Sequence, residues 1–172
     1  MEQVANTSGW LIARITMAYV FLYAAWLNTR NRDSWNWTVG QTMLILGVFP
    51  EAKRHRAAVY CAIAGMIMMY GGGVSVLFGL EGRLGALALM IFSALGMGIH
   101  RVNREQALSL GKSIGAAAPA VNDQAQNLAW SAFGGHLSSG LKNVTLIGTN
   151  ALFLLHGTGP LSISDLISHW LF

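Results

Sequence analysis

From Ala57 to Leu80 the chain runs without one charged side chain, and a second uncharged run extends from Leu84 to Ile99 after the short link Glu81-Gly82-Arg83. A helix rises about 1.5 Å per residue, so the first run can cross the ~30 Å hydrocarbon core of a bilayer. A link this short allows only an antiparallel hairpin of the two segments. In lipid each backbone N–H and C=O must find its partner within the protein, which makes long apolar runs helical. The rest of the chain has to fold around this hairpin.

Composition says the same of the whole chain. Hydrophobic residues make up 53% of the 172 positions and charged residues 10%, against roughly 25% charged in an ordinary soluble domain. A small soluble protein has too much surface for its volume to cover itself with so few charges. The expected fold is an all-α membrane protein, a bundle of four transmembrane helices with a short re-entrant or interfacial helix, forming a single domain over 1–172. The spans are predicted at about 10–27, 57–80, 84–100 and 141–156, with the re-entrant or interfacial helix at 39–49. That piece is too short to cross by itself and ends at Pro50. Residues 101–140 read as a polar insert in which 107–114 forms a short interfacial helix and Leu128–Leu137 lies on the membrane. The tail from Leu161 is mildly apolar, with Asp165 and His169. Trp35 and Trp37 read as interface anchors, because an indole pairs an apolar body with one N–H.

The net charge of +4 does not point to nucleic acid, since the cations form no stripe with interleaved aromatics. They flank apolar segments, where topology-setting charges belong. Of the 11 Lys and Arg, nine fall on one side when 39–49 does not span: Arg30, Arg32, Lys53, Arg54, Arg56, Arg101, Arg104, Lys112 and Lys142. The positive-inside rule makes the basic segments 51–56 and 101–142 cytoplasmic and the Glu81–Arg83 turn external. The expected location is the inner membrane of a prokaryotic cell. The N-terminal residues lack a basic region and a cleavage site, so the first helix is expected to be retained.

Few residues offer chemistry. Cys61, the one cysteine, reads as a small buried residue and allows neither a disulfide nor a zinc site. Glu81 and Arg83 read as a turn-stabilising pair. The Gly71-Gly72-Gly73 run reads as a place of close helix approach or as a kink. The methionines read as packing and not as copper ligands. No metal site, phosphate loop, nucleophile set or flavin motif is evident, and no tightly bound cofactor is expected.

The stretch Tyr70-Gly-Gly-Gly-Val-Ser-Val-Leu-Phe-Gly-Leu-Glu-Gly-Arg-Leu-Gly-Ala-Leu-Ala-Leu-Met resembles the second and third helices of the DoxX family. Leu141-Lys-Asn-Val-Thr-Leu-Ile-Gly, with the exit His156-Gly-Thr-Gly-Pro-Leu-Ser, is similar to that family's last helix. Arg14 followed by Val20-Phe-Leu-Tyr is similar to its first. The resemblance covers about two-thirds of the chain. It implies a four-helix subunit of a redox-linked membrane complex. Relatives are associated with thiosulfate:quinone oxidoreductase, so a quinone and other membrane or redox subunits are the partners it implies, besides lipid. The rival reading is a non-catalytic accessory subunit packing on a larger respiratory or photosynthetic assembly.

Arg14 and His100 are then the candidate catalytic residues, and Arg14, Asn143 and Asn150 the candidate cofactor pocket. A cation within an apolar helix costs a few kcal/mol on insertion scales and usually has a partner. For Arg14 that is an anion or a quinone carbonyl, or, as the structural alternative, the interface or another helix. A histidine can exchange protons with a quinone. His100 and His156 are expected at opposite ends of the bundle, too far apart to share a haem iron. Asn143 and Asn150 share a helix face and are expected to bond between helices or to line a polar pocket.

Overall fold

The structure, a computed structural model, describes residues 2–164 and 167, and only the backbone at residues 2–6. Five α-helices follow in order: α1 Glu2–Thr29, α2 Arg32–Leu44, α3 Glu51–Phe78, α4 Gly82–Ala117 and α5 Asn122–His156, with a 3-10 turn at Pro119–Val121. Among the described residues there is no strand. Three helices are long and apolar enough to cross a membrane, over Thr7–Thr29, Glu51–Phe78 and Gly82–Ala117. α5, which is not among these three, runs antiparallel beside α4. Asp165 and His169 lie outside the described residues.

The buried residues of α1 are Arg14, Met17, Ala18, Phe21 and Ala25, the spacing of one helical face. That face meets Met66, Met69 and Val76 of α3, Leu89 of α4 and Phe153 of α5 in one core. Outside it, α1 exposes Ile12, Ile15, Tyr19, Tyr23 and Trp26. Large apolar and aromatic side chains on the outside suit a bundle whose outer solvent is lipid.

The three adjacent glycines of α3 do not interrupt it, since α3 is one helix from Glu51 to Phe78. They serve different neighbours. A Cβ on Gly72 would lie 2.9 Å from the Gly85 carbonyl oxygen and 2.8 Å from Leu89 Cγ, both on α4. One on Gly73 would lie 3.0 Å from Leu22 of α1, and one on Gly71 would meet nothing. Close approach on two sides is thus the use of this run. The turn that follows is held by Ser75, whose hydroxyl donates to the carbonyls of Leu80 (2.7 Å) and Glu81 (3.0 Å). The sequence-based ion pair between Glu81 and Arg83 is not formed; among the described residues the one salt bridge joins Arg101 and Glu105.

The segment 101–140 differs most from expectation. It is not a polar insert with a short interfacial helix. α4 runs on past His100 to Ala117, and α5 begins at Asn122 and not near Leu141. The two make a long antiparallel hairpin. Gly111 and Gly115 sit four apart on α4, where an added Cβ would overlap Ala129 and Asn122 respectively. Small residues facing small residues let the two arms approach closely, and this pairing carries both helices beyond the apolar run. At 36 residues, α4 is about 54 Å long, well over the thickness of a hydrocarbon core.

The predicted short helix is present but shifted, at Arg32–Leu44. The Asn31 side chain caps it by accepting from Ser34 N at 2.8 Å, as preferred at a helix start. Val39 packs on Ala58 and Ala62 of α3. Trp35 is half-buried and packs against the core, whereas Trp37 is 60% exposed.

Candidate functional site

A cavity of about 360 Å³ lies among all five helices. Its floor is apolar, from Met66 and Met69 of α3 with Phe92 and Leu95 of α4. Towards α2 and the hairpin it becomes polar. Thr38, Gln41 and Thr42 enter from α2, His100 and Asn103 from α4, and His136 and Asn143 from α5. Thr38 and Thr42 hydroxyls donate to carbonyls of their own helix at 2.9 Å, so each keeps an acceptor lone pair free. The Asn103 amide donates to Gln41 Oε1 and ties α4 to α2.

His100 and His136 close one side of this cavity. Their Nδ1 atoms are 3.3 Å apart and their ring centroids 5.6 Å. For that contact to be a hydrogen bond, one ring must donate and the other accept. The hairpin explains why they meet, since His100 and His136 are equally far from Ala118, one on each antiparallel arm. The same hairpin brings Asn143 against Gly96, where an added Cβ would stand 3.0 Å from Asn143 Nδ2. A side chain at 96 would take the space of that amide.

The predicted site residues therefore separate. His100 and Asn143 come together in the cavity, while Arg14 and Asn150 do not line it. Arg14 is 3% exposed. Its Nε and Nη2 donate to the Leu77 carbonyl at 3.2 and 2.8 Å, and Nη1 donates to the Pro160 carbonyl at 3.3 Å. Leu77 lies in the last turn of α3, where carbonyls lack helical partners and the helix dipole favours a cation. The guanidinium thus joins α1, α3 and the segment after α5. Asn150 is buried, with Nδ2 donating to Leu146 O at 2.9 Å and in weak contact with Met17 Sδ at 3.5 Å. Its Oδ1 is buried and has no partner.

His156 lies with Glu81, Arg83 and Thr158 around a separate pocket at the start of α4, whereas His100 stands midway along that helix and does not end it. Cys61, expected as a buried residue, is exposed and lines the cavity. His136, Asn103, Gln41 and Thr38 were not among the predicted site residues. The signal for His136 is its distance from Ala118, equal to that of His100, and it becomes legible only once residues 101–140 are read as a hairpin.

No family model matches the chain, and no curated protein or solved structure does.

Proposed function

We propose that this chain is an integral membrane subunit of a redox-linked complex, similar to the DoxX family, that holds a quinone-type molecule in the cavity between its helices. In this reading α5 is the fourth span, and the basic ends of α3 and α4 face the cytoplasm. The observation that carries it is the cavity's division into an apolar floor and a polar end. Small-molecule sites are typically apolar with a few convergent polar groups. A quinone ring presents two carbonyl acceptors, and the donors here suit them: an imidazole N–H from the histidine pair and the Asn143 amide. The lining also suits the rest of the molecule. Met66 also lines an apolar recess formed with Ile67 and Tyr70 of α3, Thr29 of α1 and Trp35 of α2, and in this reading an apolar tail would run past Met66 into that recess. The bound quinone would supply the electron chemistry, and this chain would orient the ring, exclude water and place an exchangeable proton on an imidazole nitrogen beside it.

The test uses Cys61 as a natural reporter. Maleimide labelling of the purified protein is measured with and without a short-chain quinone. Protection at micromolar quinone is expected, weakened about tenfold, or 1.4 kcal/mol, by His100→Ala or Asn143→Ala. No protection in the folded protein would overturn the reading.

One observation favours the accessory-subunit reading. Tyr19, Tyr23 and Trp26 form a stacked ladder on the exposed face of α1, with centroids 5.6 and 5.8 Å apart, and Arg30 over Trp26. Such a face is suited to packing on another membrane protein. A fixed-stoichiometry partner lost on Tyr23→Ala, together with no quinone protection, would select this reading.

A further inference from the structure

We infer that the groove on the outer side of the α4–α5 hairpin is a binding site for an anionic phospholipid, with the phosphate held by Arg101 and Arg104 and one acyl chain lying along Met97, Leu141 and Val144. This rests on the membrane-embedded reading above but not on the quinone cavity.

The groove measures about 390 Å³ and lies against His100 and His136 from the side opposite the cavity, so the histidine pair is the wall between the two. Met97, Arg101 and Arg104 stand four and three residues apart and therefore share one face of α4. Leu137, Leu141 and Val144 do the same on α5. The two stripes line the groove together. Its apolar part adjoins the uncharged run of α4, and its cations stand where that run has ended. A phospholipid has the same order, an acyl chain below and a phosphate above. Basic pockets between helices at a membrane boundary recognise such head groups.

Both arginines are placed for an anion. The Arg101 pair with Glu105 is 3.5 Å long and open to solvent, so it adds little stability and exchanges readily for a phosphate oxygen. Arg104 lies over the Phe133 ring at 5.9 Å, which restrains the guanidinium without using up its N–H donors. A guanidinium fork fits phosphate in two-point fashion. Leu141 and Val144 are exposed along their stripe, which leaves apolar surface for a chain. Glu105 sets one negative charge against the two arginines, which leaves the groove with a net positive charge for a phosphate. A choline head group would bring its own cation to the arginines, so the site prefers a net negative lipid.

The experiment is native mass spectrometry of the full chain released from mixed micelles containing equal phosphatidylglycerol and phosphatidylcholine. One retained phosphatidylglycerol per chain is expected. Arg101→Gln with Arg104→Gln should cut its retention at least tenfold, and so should Leu141→Gln, which leaves both cations in place. The charge-matched control Lys53→Gln with Lys112→Gln, at exposed positions, should retain it. Glycerol phosphate at millimolar concentration should fail to displace it, which separates a lipid from a free phosphate. Equal retention of both lipids, loss in the lysine control, or displacement by glycerol phosphate would overturn the proposal. Carbonate extraction of native membranes distinguishes this from failure of the membrane reading. A chain that stays with the pellet but holds no anionic lipid sinks only the site, and one released to the supernatant sinks both.

Discussion

Arg14 donates twice to the carbonyl of Leu77, 63 residues on in the chain, and so closes the open end of α3 with a buried cation from α1. Hydrogen bonds to a charged group are worth about 1.5–3 kcal/mol each, and removing this one leaves a helix-terminal carbonyl unpaired. Arg14→Ala is expected to lower stability by about 2 kcal/mol or more, read as a lower unfolding temperature in detergent. Arg14→Lys should recover only part of it, because an ammonium is a point charge and not a fork. Quinone protection of Cys61 in the folded fraction should be unchanged, since Arg14 is not part of the cavity. Loss of protection with unchanged stability would return Arg14 to the site.

The glycine run offers a contrast between adjacent positions. Gly72→Ala places a methyl 2.9 Å from the Gly85 carbonyl oxygen, backbone that cannot step aside, and should destabilise by about 1–3 kcal/mol. Gly71→Ala meets nothing and gains helix propensity, so it should be neutral or stabilising by up to about 1 kcal/mol. Thermal unfolding of the two variants side by side checks the order, and a reversed order would contradict the α3–α4 packing.

Asn150 keeps a buried, unpartnered Oδ1. An unsatisfied buried acceptor costs about 1–3 kcal/mol, and an apolar residue of similar shape removes that cost. Asn150→Leu is therefore expected to raise the unfolding temperature, despite losing the contact to Met17. A fall would mean that the carbonyl oxygen has a partner in the folded protein.

His100 and His136 should act as one unit. His136→Phe is expected to weaken quinone protection of Cys61 about as much as His100→Ala does, and the double variant little more than either. Residues in direct contact commonly show such coupling. Full additivity would separate them into independent contributors.

Much of the fold was legible in residues 57–99, where lack of charge alone dictates helices and the Glu81–Arg83 link dictates a hairpin. The cation Arg14 was legible as a residue needing a partner, and the partner proved to be a helix end. The segment 101–140 was read as a polar insert because hydropathy reports only the match to lipid. Its helices are set instead by small residues, Gly111 against Ala125 and Ala129 and Gly115 against Asn122, a signal of shape and not of polarity. With the hairpin unread, His136 had no address and His100 no neighbour. Asn143 and Asn150 share a helix face in the sequence pattern, yet two turns of helix direct them to different neighbours, Gly96 for one and Met17 for the other.

The short turn at Pro119–Val121 has a consequence far from where it lies. A helix advances about 100° and 1.5 Å per residue, and the imidazole pair is about 27 Å of helix away from Ala118. Adding or deleting one residue in that turn changes the angular phase of α5 against α4 by nearly a third of a revolution. His136 would then swing off the seam, although no atom near it had been altered. The tip of the hairpin is thus the timing element of the pair, and the spacing between the two histidines is under as tight a constraint as the histidines themselves.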